Sequence, residues 1–218
     1  MSFNEINKTE VAWHSGHVQP QDRQQLLGQK PLTLWLTGLS ASGKSTVAFA
    51  LEQTLTNLGH VAYVLDGDNV RHGLNSDLGF SHEDRTENIR RIAEVAKLMN
   101  SAGLIVITAF ISPYIEDREL AKKIIGHESF MEVYVSTPIK ECEARDPKGM
   151  YMRARAGGLS EFTGVNAPYE PPLIPDLIID TSTQKLMECV DKLLVGLISR
   201  ITLSESKMQL NRTHINEQ

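Results

Sequence analysis

The chain has 218 residues, 41% of them hydrophobic, and a formal net charge of −5 at pH 7. That size and apolar share suit one α/β domain with a single core, and the acidic balance excludes a nucleic-acid partner held on a broad basic face. No apolar run approaches the ~20 residues of a membrane-spanning helix, so no membrane partner is expected.

The opening MSFNEINKTE lacks the apolar core of a signal peptide. Cys142 and Cys189 both fall in helical-looking segments. They form no disulfide framework, and a cytoplasmic protein is expected. His14 and His17 lie close together in a polar stretch, where H-x-x-H reads as a solvated loop, so no metal site built by the protein alone is expected.

Residues 1–30 read as a polar leader, ending in LLGQK, that packs loosely on a domain spanning 31–202. Leu32, Leu34, Trp35 and Leu36 form a short apolar run with the length and flanks of a buried strand. The stretch GLSASGKST follows, matching G-x-x-x-x-G-K-[ST] at Gly38, Gly43, Lys44 and Ser45. Val47, Ala48, Ala50, Leu51, Leu55 and Leu58 then recur at helical spacing until Gly59 stops them. A strand before the motif and a helix after it are the context of a phosphate-binding loop. Its glycines let successive backbone N–H groups face a phosphate, and the new helix adds the positive end of its dipole. Gly38, Leu39, Ser40, Ala41, Ser42, Gly43, Lys44, Ser45 and Thr46 are therefore expected to bind nucleotide, with Lys44 on the β- and γ-phosphates and the Ser45 hydroxyl on Mg²⁺.

A second strand, VAYVLD at 61–66, ends in DGDNVR. Ligands of open α/β sheets bind at the carboxyl ends of the strands, so Asp66 and Asp68 are placed to hold a Mg²⁺-bound water or an attacking hydroxyl, with Asp66 the nearer. The alternative is a turn whose acids cap the next helix. Ile89, Ile92, Ala93, Ala96 and Met99 predict a helix over about 86–102, and LIVITAF at 104–110 a third strand. The following TAFISPY places Ser112 at the mouth of the site, with Pro113 opening the next helix; read alone, Ser112 is a helix cap.

The fourth strand is MEVYVS at 131–136, after which Pro138 opens a helix at its first position. Asp146 to Pro175 is rich in Gly, Pro and basic residues and too long for an ordinary connection, so a lid is expected near 146–170. LIID at 177–180 gives a fifth strand, 184–200 a closing helix and 203–218 a polar tail expected to be disordered. Strands and helices alternate throughout, the pattern of a parallel sheet covered on both faces. A guanine-nucleotide switch is excluded: the only D-x-x-G is DPKG at 146–149, far downstream, and NKTE at 7–10 lacks the Asp of N-K-x-D.

Four blocks, WLTGLSASGKST, LDGDNVRHGLNSDLGFSHEDRTENIRRIAEVAKLM, ITAFISPY and CEARDPKGMYMRARAG…EFTG, together resemble the adenylyl-sulfate kinase family, over about Trp13 to Asp180. The resemblance implies a P-loop phosphotransferase. It would move the γ-phosphate of ATP, with Mg²⁺, to the ribose 3′-hydroxyl of adenosine 5′-phosphosulfate in sulfate assimilation, as a homodimer. It also places Arg71, Phe80, Arg85, Asn88, Ile111, Ser112, Lys148 and Phe162 on adenylyl-sulfate contacts. Arg155 is expected on the donor adenine. The substrate's chemistry agrees, since an adenine needs aromatic faces and a phosphosulfate needs cations. In the family a serine at the position of Ser112 is described as a phosphoserine intermediate, which direct in-line transfer does not need. The family loop often carries Gly where this chain has Ala41, a replacement the loop accommodates if that residue keeps φ below zero. Two rival readings are a small-metabolite or nucleoside kinase on the same scaffold, and a P-loop binding protein without turnover.

Overall fold

The computed structural model describes residues 12, 14 and 16–203; most of the leader's first half and the tail from residue 204 lie outside the described residues. The strands are β1 (Leu32–Thr37), β2 (Ala62–Asp66), β3 (Ile105–Ala109), β4 (Phe130–Val135) and β5 (Leu177–Ile179). They form one parallel sheet in the order β2-β3-β1-β4-β5. β1 lies at the centre and is buried along its whole length, which explains why it reads as a near-continuous apolar run.

Period-two alternation divides β1 between two cores. Leu32, Leu34 and Leu36 join Ile105, Ile107, Met131 and Val133 beneath helices α2 (Lys44–Asn57) and α7 (Leu186–Ile201). Trp35 points to the other face, where it stacks near Phe110 and Phe130 beneath α3 (His82–Ser101) and α4 (Ile115–Ile125). No helix among the described residues is long and apolar enough to cross a membrane.

Several boundaries differ from those expected. α3 begins four residues early, because Ser81 caps it by accepting a hydrogen bond from Asp84 N at 3.2 Å; this polar first turn precedes the apolar face. Pro113 lies two residues before α4, and Pro138 is the cap of α5 (Ile139–Arg145) instead of its first residue. A short helix α6 (Met150–Arg155) opens the lid segment.

The leader carries helix α1 (Pro20–Leu27), and its end is tightly held. Gln29 is fully buried, donates to Val61 O and Gly103 O at 2.9 Å each and accepts from Val61 N at 2.8 Å. Two loop main-chain groups, Val61 N and Gly103 O, thereby gain partners. Lys30 N donates to Ile201 O at 2.7 Å, joining this segment to α7.

Candidate active site

The turn between β1 and α2 is fixed by contacts that leave its concave side open. A Cβ on Gly38 would lie 2.6 Å from Val135 O, so no other residue fits there without moving β4. Ser42 O accepts from the hydroxyls of Thr137 at 3.0 Å and Thr181 at 2.8 Å, which follow β4 and β5. Tyr151 of α6 donates to Ser40 O at 3.1 Å. The loop is thus pinned from two strand ends, those of β4 and β5, and from the lid.

Ala41 departs from expectation. Its φ is +59°, in the left-handed region where a Cβ is disfavoured by about 1–2 kcal/mol. Its methyl packs against the lid cluster of Cys142, Tyr151, Ala154 and Phe162, which offsets part of that cost. Ala41→Gly is expected to stabilise the fold by up to about 1 kcal/mol; thermal denaturation checks this, and a destabilised variant would show that the methyl contact outweighs the strain.

Lys44 is nearly buried, and its Nζ donates to Gly38 O at 3.0 Å and Leu39 O at 2.6 Å. Burial lowers its pKa from 10.5 to about 8, against the raising influence of Cys142, Asp66 and Asp68. The folded chain therefore disfavours the ammonium. Below pH 8 this costs stability, and the cost is relieved as pH rises from about 8 towards 10.5. A polyphosphate would restore the charged form, so ATP binding should take up a proton above about pH 8 and none near pH 6.5. Calorimetry in buffers of different ionisation heat measures this; equal proton uptake at both pH values would contradict it.

The Ser45 hydroxyl donates to Asp66 Oδ2 at 2.6 Å, joining the start of α2 to the end of β2. Asp66 is 6% exposed, and its other oxygen accepts from Asp68 N at 3.0 Å and Asn69 N at 3.3 Å. Asp68 points outward, 67% exposed, and pairs with Lys148 of the lid segment. The two acids thus have different surroundings: one lies inside beside the loop, the other spans the entrance.

A cavity of about 570 Å³ lies over this floor, lined by Ser40, Ala41, Gly43, Lys44, Ser45 and Thr46 from the loop and by both acids. Arg71, Phe80, Arg85, Asn88, Ile111, Ser112 and Lys148 line it as well. Phe80 is 58% exposed, with the Arg71 guanidinium carbon 4.3 Å and the Arg85 guanidinium carbon 5.8 Å from its ring centre. Burial lowers the pKa of both guanidiniums, and Arg85 lowers that of Arg71 further, so an anion placed between them would relieve their repulsion. Arg85 also donates to Thr163 Oγ1 at 3.2 Å, linking this wall to the lid.

Gly38, Leu39 and Ser42 shape the loop from behind and do not line the cavity. The structure does not bring two expected contacts to the cavity. Phe162 is 8% exposed inside the lid cluster, edge-on to Tyr151 at 4.9 Å. Arg155 is ion-paired with Glu143, away from the cavity wall. Arg145, which the sequence reading passed over, does line the cavity; it donates to Thr181 Oγ1 at 2.7 Å and to Thr181 O at 2.8 Å. Its only sequence signal is its position, at the end of the helix that leads into DPKG. Phe49, exposed on α2 away from its buried face, also lines the cavity.

The Ser112 hydroxyl faces inward. Ser112 is 2% exposed with φ +38°, and its Oγ accepts from the Trp35 indole at 3.1 Å.

A parallel sheet with a phosphate loop after its central strand, a buried acid beside the loop serine and a cationic cavity at the strand ends define a P-loop phosphotransferase. Residues 30–180 match the family model described as Adenylylsulphate kinase. An adenylyl-sulfate kinase of Clostridium acetobutylicum is 53% identical over 192 residues, 88% of this chain and 96% of the relative. One from Vibrio cholerae is 52% identical over 201 residues, 92% of this chain and 94% of the relative. The solved structure of the Mycobacterium tuberculosis APS kinase CysC in complex with AMPPNP and APS superposes with a TM-score of 0.75 at 47% identity, covering 78% of this chain and 98% of that one. The chain belongs to the adenylyl-sulfate kinase family.

Proposed function

We propose that this chain transfers the γ-phosphoryl group of ATP to the 3′-hydroxyl of adenosine 5′-phosphosulfate, giving ADP and 3′-phosphoadenylyl sulfate. The observation that carries this reading is a single cavity lined both by Lys44, Ser45 and Asp66 and by Phe80 between two guanidiniums. The first group suits a polyphosphate; the second suits an aromatic base joined to an anion.

The loop amides and Lys44 hold the donor phosphates. Asp66, the deeper acid, orients the attacking hydroxyl and accepts the proton it sheds. As the new bond from the 3′-oxygen to phosphorus forms, the bond to the bridging oxygen breaks and ADP leaves. Ser45 and Asp66 offer two hard oxygen donors in contact, a fit for Mg²⁺; when bound there, Mg²⁺ would neutralise charge on the transferring phosphoryl oxygens. Lys148 exchanges Asp68 for the acceptor anion as the lid closes and excludes water. The inward-facing hydroxyl of Ser112 supports direct transfer without a phosphoserine.

ADP release measured with a panel of acceptors tests the assignment. Adenylyl sulfate should stimulate it strongly. Stimulation by another metabolite instead would favour the rival kinase reading, and stimulation by none a binding protein.

A further inference from the structure

Arg118 of α4 is 3% exposed and makes three hydrogen bonds to three separate parts of the chain. Its Nε donates to Glu132 of β4 at 2.8 Å, its Nη1 to Ser112 O at 2.7 Å and its Nη2 to Glu170 O at 2.8 Å. Ser112 O belongs to the turn after β3 that lines the cavity, and Glu170 lies where the lid segment returns to the domain. Two further bonds join the same segments directly: Glu170 N donates to Pro113 O, and Ile115 N to Glu170 Oε2, each at 2.8 Å. Beside them Tyr169 and Thr37 share a hydroxyl contact of 3.0 Å, and Thr37 Oγ1 donates to Ile111 O at 2.7 Å.

A buried ion pair needs only one cation facing one carboxylate, and its desolvation cost makes it a weak source of stability. Here each terminal guanidinium nitrogen donates to a backbone carbonyl that the ion pair does not require. One of them belongs to a residue held at a positive φ, a conformation that persists only where its surroundings enforce it. The planar fork of an arginine suits this task, because it fixes three acceptors in one rigid geometry.

We propose that Arg118 is a positioning residue for phosphoryl transfer, setting the acceptor-side turn Ile111–Pro113 and the return anchor of the lid at Tyr169–Glu170 in one fixed register. The inference rests on the kinase reading above. It assigns Arg118 a role in acceptor placement although Arg118 does not line the cavity.

Arg118→Lys separates this role from a merely structural one, since lysine keeps a cation for Glu132 but loses the fork. Its Michaelis constant for adenylyl sulfate should rise about tenfold, with that for ATP changed less than about twofold. The Glu170 and Ile115 amides should exchange hydrogen faster. Should Arg118→Lys fail to fold, Arg118→Met/Glu132→Leu replaces the pair by apolar groups, and the same measurements are made on it. An unchanged acceptor constant, or unchanged exchange at Glu170, would overturn the proposal. The exchange measurement needs no turnover, so it tests the anchor even if wild-type protein ignores adenylyl sulfate, a result that would sink the kinase reading separately.

Discussion

Lys44→Ala is expected to remove at least 99% of turnover, because it deletes the one loop cation placed to follow charge onto the phosphoryl oxygens, a loss of roughly 3 kcal/mol or more in the transition state. The fold should not suffer. Nζ bonds only to the phosphate loop itself, at Gly38 O, Leu39 O and Ser42 Oγ, and burial already disfavours its charge. Deleting a desolvated ammonium relieves a cost present below pH 8, so the variant should melt no earlier than wild type at pH 7. Activity and thermal denaturation on one preparation check both halves. More than about a tenth of wild-type turnover would be too much for a residue with the role given to Lys44.

Asp66→Asn should have the next largest effect, lowering kcat by about 10²–10³. The change is nearly isosteric. An amide oxygen can still accept from Asp68 N and Asn69 N, so the turn after β2 should keep its shape. What is lost is the negative charge beside Ser45, to which the proposed mechanism assigns a metal and the shed proton. Asp68→Asn offers the internal comparison, since it weakens only an exposed pair with Lys148, and exposed pairs contribute about 0–1 kcal/mol. Its kcat should fall less than about tenfold. A larger loss from Asp68→Asn than from Asp66→Asn would reverse the roles assigned to the two acids.

The sheet and its phosphate loop were legible because their signals are local. β1 carries its burial as a near-continuous apolar run, and the G-x-x-x-x-G-K-[ST] pattern lies between that strand and an amphipathic helix. What sequence could not supply were properties set by distant partners. The positive φ of Ala41 arises where the loop is pinned by Tyr151, Thr137 and Thr181, and no neighbour in sequence announces it. Phe80 and Phe162 looked equivalent as aromatic faces, but Phe162 has Tyr151 to pack against and is buried, whereas Phe80 has two guanidiniums and stays open.

Arg155 was expected on the donor adenine, yet it pairs with Glu143, one helix earlier, and does not line the cavity. Arg145 lies inside a block that carries the resemblance but is assigned no contact there, and Arg118 lies outside all four blocks. Their importance lies in the acceptors they reach, 36 residues away for Arg145 and 52 for Arg118. The leader reads as loosely packed because it is mostly polar, and its fixing to the domain lies at its very end, in the Gln29 amide, whose partners lie 32 and 74 residues away, and in the bond from Lys30 N to Ile201 O.

The most direct test of the account is rapid-quench analysis of a single turnover with ATP labelled in its γ-phosphate and adenylyl sulfate as acceptor. Direct transfer across one cavity predicts that label leaves ATP and appears on the ribose 3′-oxygen at the same rate, with none on the protein at any time. Label that first accumulates on Ser112, or that ends on any atom other than the 3′-oxygen, would contradict it.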